Sequence, residues 1–429
     1  MALTREQQEL LVRVGAGTPM GDLFRRYWVP ILLAEELPEP DCPQVRVRIL
    51  GEDLIAFRDT DGRIGLIDEF CPHRGASFYF GRNEEGGLRC CYHGWKFDVT
   101  GRCVDMPSEP EESNFKDKVA ITAYPCIERG DLIFAYMGPP EHRPAPPEIE
   151  WLTVPASQRF VSKRLQYTNY LQALEGGIDS SHVSVLHRYD LDGDRLHVRS
   201  QGSAFLKGDT RPRFEVAQAP WGLSIGARRN ASETEYYWRI TPFIMPWYTI
   251  IPPYADHPTG GHAFVPIDDE HCWVFSMYYS PDKPIGDELR ASLKAGAGNI
   301  SVNIPGTYIP KANKSNDYLI DRKAQKEKRT FSGVMGIAIQ DQAVQESMGP
   351  IQDRTKERLG TSDVGIIAAR QRLIDAALEL REHGTAPPAL DPADQRVRSA
   401  SIVLPRDVPF HEGAREAMAV RPGTPLVSV

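Results

Sequence analysis

Two short segments that each combine a cysteine with a histidine constrain this chain more than any other feature. They read CPH at residues 71–73 and CCYH at residues 90–93, and sixteen residues separate His73 from Cys90. Zinc sites usually draw on Cys-x-x-Cys and His-x-x-x-His pairs, in which each segment supplies two like ligands. Here each segment offers one thiolate and one imidazole, which suits an iron-sulfur cluster whose two irons carry different ligands. We predict two loops that converge on one cluster, with Cys90 or Cys91 as the second thiolate.

The residues around these segments predict a β-rich domain. Apolar and polar residues alternate from residue 45 to 49, a TDG turn follows at residues 60–62, and a proline-rich stretch at 139–150 indicates a linker. We therefore expect a helical N-terminal segment at 1–43 that packs on the catalytic domain, a cluster domain at 44–145, and a catalytic domain at 146–429.

The part of the chain after the linker predicts a larger domain of mixed structure. Strands rich in tyrosine, tryptophan and isoleucine run between about residues 203 and 280, and residues 361–384 form a strong helix pattern with Ser362 or Asp363 as cap and Gly384 as stop. The predicted fold class is α+β, with an all-β cluster domain and a larger domain whose central antiparallel sheet is flanked by helices.

Charge and composition exclude several functions. Asp and Glu number 58 against 50 for Lys and Arg, and the net charge of -8 argues against binding to a nucleic-acid backbone. No apolar run approaches the roughly 20 residues of a membrane helix. The N-terminus does not resemble a signal peptide, and seven cysteines are too few for a disulfide scaffold. We expect a cytoplasmic protein that binds neither nucleic acid nor membranes.

A second group of metal-binding residue types lies in residues 169–187. It contains Glu175, Asp179, His182 and His187. On a helix, Asp179 and His182 face the same way, so the carboxylate can accept the proton of the ring nitrogen that a metal does not use. The two histidines are five residues apart, and joint ligation requires that the helix loosen or end between them.

Together these motifs resemble the Rieske non-heme iron oxygenases, and the flanking residues, including 340–360, resemble the phthalate 4,5-dioxygenase branch. The family motif, C-x-H followed by C-x-x-H-G-W, selects Cys90 rather than Cys91. The resemblance thus implies a [2Fe-2S] cluster on four ligands: Cys71, His73, Cys90 and His93.

The resemblance also implies a mononuclear Fe(II) on His182, His187 and a carboxylate from a later helix. Asp341 is the expected third ligand, with Asp353 and Glu346 as alternatives. Two histidines and one carboxylate leave positions on iron open for dioxygen beside substrate. In the family, oxygenase subunits form homotrimers or dimers of trimers, and the resemblance implies that electrons pass from His93 of one subunit through the catalytic Asp179 of the next to His182.

The implied function is hydroxylation of an aromatic carboxylate with O2. The chain has no dinucleotide fingerprint and no plant-type ferredoxin cysteine run, so we expect a separate NAD(P)H-dependent reductase with flavin and ferredoxin-type centres. Monooxygenation or O-demethylation of an aryl ether acid is the alternative, and a pure electron carrier a remote one. Candidate substrate-binding residues are Arg239 and Asn169, with Arg211, Arg213 and Arg228 as further arginines. We interpret His197, His262 and His271 as structural or surface residues.

Overall fold

The computed structural model describes residues 3–190, 200–255 and 257–429. Its first part contains ten strands: β1 (Trp28–Leu33), β2 (Val45–Ile49), β3 (Glu52–Arg58), β4 (Ile64–Asp68), β5 (Arg82–Glu84), β6 (Gly87–Arg89), β7 (Lys96–Phe97), β8 (Cys103–Asp105), β9 (Ala123–Arg129) and β10 (Leu132–Tyr136). They form a six-stranded antiparallel sheet in the order β1-β10-β9-β4-β3-β2 and a four-stranded sheet in the order β5-β6-β7-β8. The all-β cluster domain is therefore present as predicted.

The turn between β3 and β4 shows how the sequence fixes the first sheet. The buried Asp59 accepts hydrogen bonds from the backbone N–H groups of Asp61 at 3.1 Å and Arg63 at 2.8 Å. Gly62 takes a φ of +79°, a conformation that glycine adopts without steric cost. The predicted TDG turn is thus closed by the side chain that precedes it.

Strand β1 differs from the helical structure expected for residues 1–43. That segment begins with two short helices, α1 (Arg5–Val12) and α2 (Pro19–Phe24), which pack against helices of the larger domain. β1 then pairs with β10, and all six of its residues are buried. A strand buried on both faces carries no alternation of polar and apolar residues, which is why the pattern at 28–33 did not predict it.

The larger domain is organised around one antiparallel sheet. Its strands are β11 (Arg159–Gln166), β12 (Arg213–Ala219), β13 (Gly222–Asn230), β14 (Glu235–Ile244), β15 (Tyr248–Ile250), β16 (Thr259–Pro266), β17 (Cys272–Tyr279) and β18 (Ala400–Pro405). The order is β11-β17-β16-β15-β14-β13-β12, and β18 pairs with β14 beyond the end of β15. The sheet is strongly buried, and one face supports the helices that carry the candidate iron ligands.

The helices of the larger domain are α3 (Glu150–Thr153), α4 (Tyr170–Ile178), α5 (Gln201–Gly208), α6 (Asp287–Lys294), α7 (Arg322–Lys326), α8 (Ile337–Ser347), α9 (Val364–His383), α10 (Phe410–Gly413) and α11 (Arg415–Met418). α4 packs on β16 and against α8. α9 ends at Gly384 with a φ of +69°, as predicted. Within the described ranges, no helix combines the length and the apolar character needed to cross a bilayer.

Candidate active site

The two Cys-His segments form loops of the same shape. In each loop the N–H of the glycine four residues beyond the cysteine donates to the cysteine carbonyl, Gly75 to Cys71 at 2.9 Å and Gly94 to Cys90 at 3.0 Å. The two glycines have φ values of +76° and +81°, in the left-handed region. Both turns therefore close tightly, and both cysteine side chains are buried between the loops.

The imidazoles of these loops lie together beside the thiols. The rings of His73 and His93 are 4.4 Å apart, and Trp95 stacks on His73 with the ring planes 12° from parallel. The Nδ1 atom of His73 is buried and has no hydrogen-bond partner among the residues that the structure describes. A buried nitrogen without a partner is costly unless it has a ligand, so this atom fits a bound iron. Cys91 is exposed, whereas Cys90 lies on the inside of its loop.

The thiol environment also fits a cluster. Burial and the adjacent Cys90 raise the pKa of the Cys71 thiol, a backbone hydrogen bond at His73 partly counteracts them, and the net value is about 11. Two thiolates this close are unfavourable without a cation between them, and iron would supply that charge. The structure thus brings together Cys71, His73, Cys90 and His93, the four residues predicted for the cluster.

The three residues predicted for the mononuclear iron also meet. The Nε2 atoms of His187 and His182 lie 3.0 Å and 3.5 Å from Oδ1 of Asp341, and the ligand atoms of all three residues lie within 4.8 Å of one another. α4 ends at Ile178, and a 3₁₀ turn at His182–Ser184 follows. Because the helix ends before His182, the two histidines converge despite their five-residue spacing.

Each imidazole is oriented by a polar side chain on its other nitrogen. Nδ1 of His182 lies 3.1 Å from Oδ2 of Asp179, and Nδ1 of His187 lies 2.6 Å from Oε1 of Gln340. Both contacts favour the tautomer with the proton on Nδ1, which leaves Nε2 free for a metal. Nε2 of His187 is buried and faces Oδ1 of Asp341 at 3.0 Å, so both atoms are directed at the point where a metal would bind.

Gln340 was not among the predicted site residues. The two N–H groups of its amide face three oxygen acceptors, on Asp190 at 2.9 Å, on Thr330 at 3.2 Å and on the carbonyl of Val334 at 2.9 Å. These three acceptors fix the orientation of the amide, so its oxygen must face His187. The one sequence signal was its position next to Asp341, which does not by itself distinguish it from a surface glutamine.

The charges at this site favour a bound cation. Burial raises the pKa of Asp341, but the charges of His187 and His182 outweigh this effect and hold it at about 2. Burial lowers the pKa of His182, whereas the hydrogen bond with Asp179 and the charge of Asp341 raise it, with a net value of about 9. A proton on His182 therefore balances the carboxylates, and a divalent ion can take its place.

The alternative third ligands lie elsewhere. Asp353 caps a 3₁₀ turn, accepts a hydrogen bond from Thr355 and contacts Lys356 at 3.1 Å. Glu346 is buried, but it accepts hydrogen bonds from Tyr318 at 2.5 Å and from Gln342 at 2.6 Å. Neither carboxylate joins the histidines, so the structure favours Asp341.

Glu175, the first residue of the second motif, has a scaffold role. It forms ion pairs with Arg354 at 3.1 Å and Arg370 at 2.7 Å. Burial raises its pKa, but these two arginines outweigh burial and lower it overall. The carboxylate therefore ties α4, which leads into the iron-binding turn, to α9 and to the segment after α8.

A cavity reaches from the protein surface to the three candidate iron ligands. Arg239 lies on its wall, buried, with Nη2 donating to the carbonyl of Pro252 at 3.2 Å and its guanidinium 4.2 Å from the ring of Tyr254. The further candidates Arg211, Arg213 and Arg228 line a different surface depression. Among the predicted arginines, the structure thus brings Arg239 to the cavity.

Asn169 does not reach this cavity, which corrects the expectation that it binds substrate. It caps the start of α4 by accepting the N–H of Leu171 at 3.1 Å. Its amide donates to the carbonyls of Val12 at 3.0 Å and Asp269 at 2.7 Å. These contacts use its polar atoms to join α4 to the N-terminal segment, at the end of the helix away from the histidines.

Two residues of the cavity wall were missed by sequence reasoning. Arg164 and His262 both line the cavity, although His262 was expected to be structural or on the surface. Burial and the charge of Arg164 lower the pKa of His262 to about 3, so the imidazole is neutral. His271 is half-exposed and contacts Asp268 at 2.8 Å. His197 lies outside the described residues.

Fold and site together define a class of enzyme. A cluster domain with mixed cysteine and histidine ligands is joined to a sheet whose cavity ends at two histidines and one carboxylate. This is the arrangement of the terminal oxygenase component of a Rieske system, an oxidoreductase that incorporates oxygen from O2.

Comparisons with known proteins support the assignment to the oxygenase components of Rieske systems. The Rieske [2Fe-2S] domain model matches residues 27–125, and the model described as LigXa C-terminal domain like matches residues 135–416. The 3-chlorobenzoate-3,4-dioxygenase oxygenase subunit of Comamonas testosteroni is 40% identical over 95% of this chain and 96% of the relative. The phthalate 4,5-dioxygenase oxygenase subunit of Pseudomonas putida is 38% identical over 96% and 94%. The chain belongs to the Rieske non-heme iron oxygenases with a LigXa-like catalytic domain.

A solved structure supports the fold. Dicamba monooxygenase bound to 3,6-dichlorosalicylic acid superimposes with a TM-score of 0.57 and 18% identity, covering 84% of this chain and 98% of that chain. The family cofactors are a Rieske [2Fe-2S] cluster and a mononuclear iron, and both candidate sites described above have the donor atoms that these groups need.

Proposed function

We propose that this chain is the terminal oxygenase of a system that hydroxylates an aromatic carboxylate, by cis-dihydroxylation of a phthalate-like ring. The observation that carries the proposal is the cavity itself, because the buried Arg239 lines the same cavity as His182, His187 and Asp341. A buried guanidinium favours a carboxylate with two parallel hydrogen bonds. The two relatives described above are named for the aromatic acids 3-chlorobenzoate and phthalate.

Different residues of the site would bind the metals, bind the substrate and exclude water. The cluster would be held by Cys71, His73, Cys90 and His93, and the ferrous ion by His182, His187 and Asp341. When bound, the two groups supply stored electrons and dioxygen activation. Arg239 binds the acid group and orients the ring toward the iron ligands. The apolar walls, which include Ile251, Ile337 and Phe264, exclude water from the ring.

Asp179 and Gln340 hold protons at defined atoms in this scheme. Each accepts the Nδ1 proton of one histidine, which keeps the Nε2 lone pairs directed at one point. Ser181 donates through both its N–H, at 2.7 Å, and its hydroxyl, at 2.5 Å, to Asp179. Asp179 therefore stays ionised and in place, as an acceptor for His182 requires.

We also propose that the working unit is a homotrimer or a dimer of trimers, in which the cluster of one subunit serves the iron of the next. His93 and Asp179 both lie partly exposed at the surface of one subunit. Large apolar side chains are exposed near both sites, as expected of surfaces that meet: Tyr79, Phe80 and Tyr92 near the cluster loops, and Val185, Phe331 and Met335 near the iron ligands. The oxygenase would work in the cytoplasm, and a separate reductase with flavin and a ferredoxin-type centre would supply the electrons from NAD(P)H.

Subunit complementation tests the proposed electron route. Cys90→Ser should remove the cluster and Asp341→Ala the mononuclear iron, so each variant alone should be inactive. Co-expressed in equal amounts, they should recover up to about a quarter of wild-type turnover, because random mixing pairs an intact cluster with a neighbour's intact iron at that frequency. If electrons moved within one subunit, the mixture would stay inactive.

Product analysis tests the reaction itself. The purified protein, a surrogate reductase and NADH would be supplied with ¹⁸O₂ and a panel of aromatic acids, and the products analysed by mass spectrometry. Cis-dihydroxylation adds two labelled oxygens to one ring. A product with one labelled oxygen, or loss of a methyl group from an aryl ether acid, would replace dihydroxylation by monooxygenation. Electron transfer without oxidation of any acid would overturn the proposal, and the Asp341→Ala variant is the control for oxidation by the cluster alone.

A further inference from the structure

A basic depression lies on the larger domain, separate from the cavity that leads to the iron ligands. Five arginines line it: Arg211, Arg213, Arg228, Arg229 and Arg406. Asp209 is the one carboxylate among the described residues of its lining, although the chain as a whole has a net charge of -8. A local concentration of positive charge on an acidic protein favours an anion as the partner of this surface.

Two of these arginines face each other across neighbouring strands. Arg213 lies on β12, at one edge of the sheet, and is paired in register with Arg228 on β13. Like charges at directly opposed positions destabilise a sheet unless a counter-charge compensates them. Glu215 contacts Arg228 at 3.1 Å. Within the described parts of the chain, no carboxylate lies within the 4.0 Å of an ion pair from Arg211 or Arg213, so these two charges remain available to a ligand.

Asp209 does not neutralise the depression, because its oxygen atoms are already used by neutral groups. Its Oδ2 accepts the backbone N–H of Asn230 at 3.0 Å and the side-chain amide of the same residue at 2.9 Å. Its Oδ1 accepts the backbone N–H of Arg211 at 3.1 Å. These hydrogen bonds hold the carboxylate in the turn before β12, where it stabilises the backbone rather than a guanidinium group.

The ring of Tyr236 holds two of the cations in place. The guanidinium groups of Arg228 and Arg406 lie over it, 4.2 Å and 4.5 Å from its centre. Arg406 also donates to Oδ1 of Asn230 at 2.9 Å and to the carbonyl of Ser232 at 2.7 Å. These partners of Arg406 are neutral, so they orient its side chain without removing its charge. Oriented guanidinium groups match the oxygen atoms of a phosphate with paired hydrogen bonds.

Arg229 connects the depression with the iron-binding turn. Its side chain lines the depression but is almost completely buried. Its Nη2 donates to the carbonyl of Ser180 at 3.0 Å and to the hydroxyl of Ser184 at 3.4 Å. Ser180 and Ser184 lie before and after His182 in the chain, so Arg229 positions the turn that carries this candidate iron ligand.

The charge of Arg229 lacks a close counter-ion. Its Nη1 is buried and has no hydrogen-bond partner among the described residues. Burial and the charge of Arg239 lower the pKa of Arg229 to about 10, the direction expected for a buried cation. Because burying an uncompensated charge is costly, an anion in the depression would stabilise Arg229 and the contacts that it makes.

We propose that this depression is a second ligand site, which binds a phosphate group, and that the bound phosphate stabilises the iron-binding turn through Arg229. Arg211, Arg213 and Arg228 contact the phosphate, and its charge offsets the buried guanidinium of Arg229. Several unpaired cations match an anion with more than one negative charge. The ring of Tyr236 is already covered by two guanidinium groups and is unsuited to stack on an aromatic acid. A concave site with a buried cation in its wall also favours a small anion over the surface of an acidic protein.

Calorimetric titration of the metal-loaded protein tests the site, without reductase and without O2. The titrants are inorganic phosphate and glycerol phosphate in a chloride buffer. We expect phosphate to bind once per chain, and the double variant Arg211→Met, Arg213→Met to bind it at least about tenfold more weakly, because two charge-assisted contacts are lost. Arg322→Met, at an exposed arginine outside the depression, is the matched control and should bind phosphate like the wild type.

Hydrogen–deuterium exchange tests the link to the iron-binding turn. Exchange of the backbone amides of residues 178–186 would be measured with and without saturating phosphate. We expect phosphate to slow this exchange in the wild type and in Arg322→Met, because it stabilises the contacts of Arg229. Arg229→Gln retains the other four arginines of the depression and should bind phosphate without slowing the exchange. Iron content and thermal unfolding of each variant separate loss of the site from loss of the fold, and the double variant tests the link even if Arg229→Gln does not fold.

The outcomes separate the site, the link and the ligand. No phosphate binding by the wild type up to about 10 mM, or equal affinity in the double variant, would overturn the site. Binding that leaves the exchange of residues 178–186 unchanged would overturn the link through Arg229. Tighter binding of glycerol phosphate than of inorganic phosphate would assign the site to a phosphorylated metabolite, and the reverse order to free phosphate. Since neither measurement uses an aromatic acid or turnover, the proposed function stands or falls independently.

Discussion

The two candidate metal centres are built in opposite ways. The cluster ligands lie close in sequence, on two like loops between Cys71 and His93, and each loop is closed by its own backbone hydrogen bonds. The iron ligands His182 and Asp341 are far apart in sequence and meet only because α4 packs against α8. Main-chain turns orient the first set of ligands, whereas the side chains of Asp179 and Gln340 orient the second.

Because of this difference, we expect the two metal centres to respond to different kinds of substitution. Side-chain substitutions around the iron should affect that metal and leave the cluster intact, because the two sets of ligands share no residue. Substitutions that change backbone conformation in the loops should affect the cluster and leave the iron site intact. The following predictions test this separation, starting with the largest expected effect.

Replacing a ligand should have the largest effect. Asp341→Ala should lower bound iron from about three to about two atoms per chain and abolish turnover, a loss beyond the roughly 10- to 100-fold typical of outer partners. The EPR signal of the reduced cluster should persist. Asp353→Ala is the matched control and should keep all its iron. Full iron content in Asp341→Ala would move the third ligand elsewhere.

The second largest effect on turnover is expected at Asp179, which accepts the Nδ1 proton of His182. Asp179→Asn should retain both metals but lower turnover by about 100-fold, because a neutral amide supports the imidazole less well than a carboxylate. Metal analysis and steady-state oxygen uptake measure the two effects separately. Normal turnover in this variant would remove Asp179 from the proposed electron route.

Gln340 should have a smaller effect, limited to iron binding. Gln340→Leu leaves Nδ1 of His187 without an acceptor, and the affinity for Fe(II) should fall about tenfold. Competition with a chelator followed by metal analysis would measure this. Gln371→Leu, at an exposed position on α9, is the control. A change in the absorption spectrum of the cluster in Gln340→Leu would contradict the expectation that substitutions at the iron site leave the cluster intact.

The smallest effects are expected in the cluster loops. Gly75→Ala places a side chain at a positive φ and should lower the free energy of unfolding by about 1–2 kcal/mol. Gly94→Ala should cost more, since its Cβ would lie 2.5 Å from Cγ of Pro107, whereas open space surrounds the Cβ position at Gly75. Denaturant unfolding and the rate of cluster bleaching would be compared, and equal losses would contradict this difference between otherwise alike loops.

Sequence reasoning succeeded where the signal is local. The cluster loops, the turn after Asp59 and the end of α9 at Gly384 each depend on a few consecutive residues. Arg164 and His262 could not be placed in the same way, because they reach the cavity only through the pairing of β11, β16 and β17. The prediction that Asn169 binds substrate was wrong for a related reason. Asn169 is close to the iron motif in sequence, but it lies at the start of α4, and the histidines follow the end of that helix.

The ion pairs of Glu175 have a consequence for how the enzyme acquires its metal. Because Arg354 and Arg370 already hold α4 in place, the helix that leads to His182 does not depend on iron for its position. We expect the apo-protein to keep its shape at this centre, so that iron can be inserted after folding and exchanged during the life of the enzyme. Late loading would then depend on cellular iron supply rather than on synthesis of a new chain.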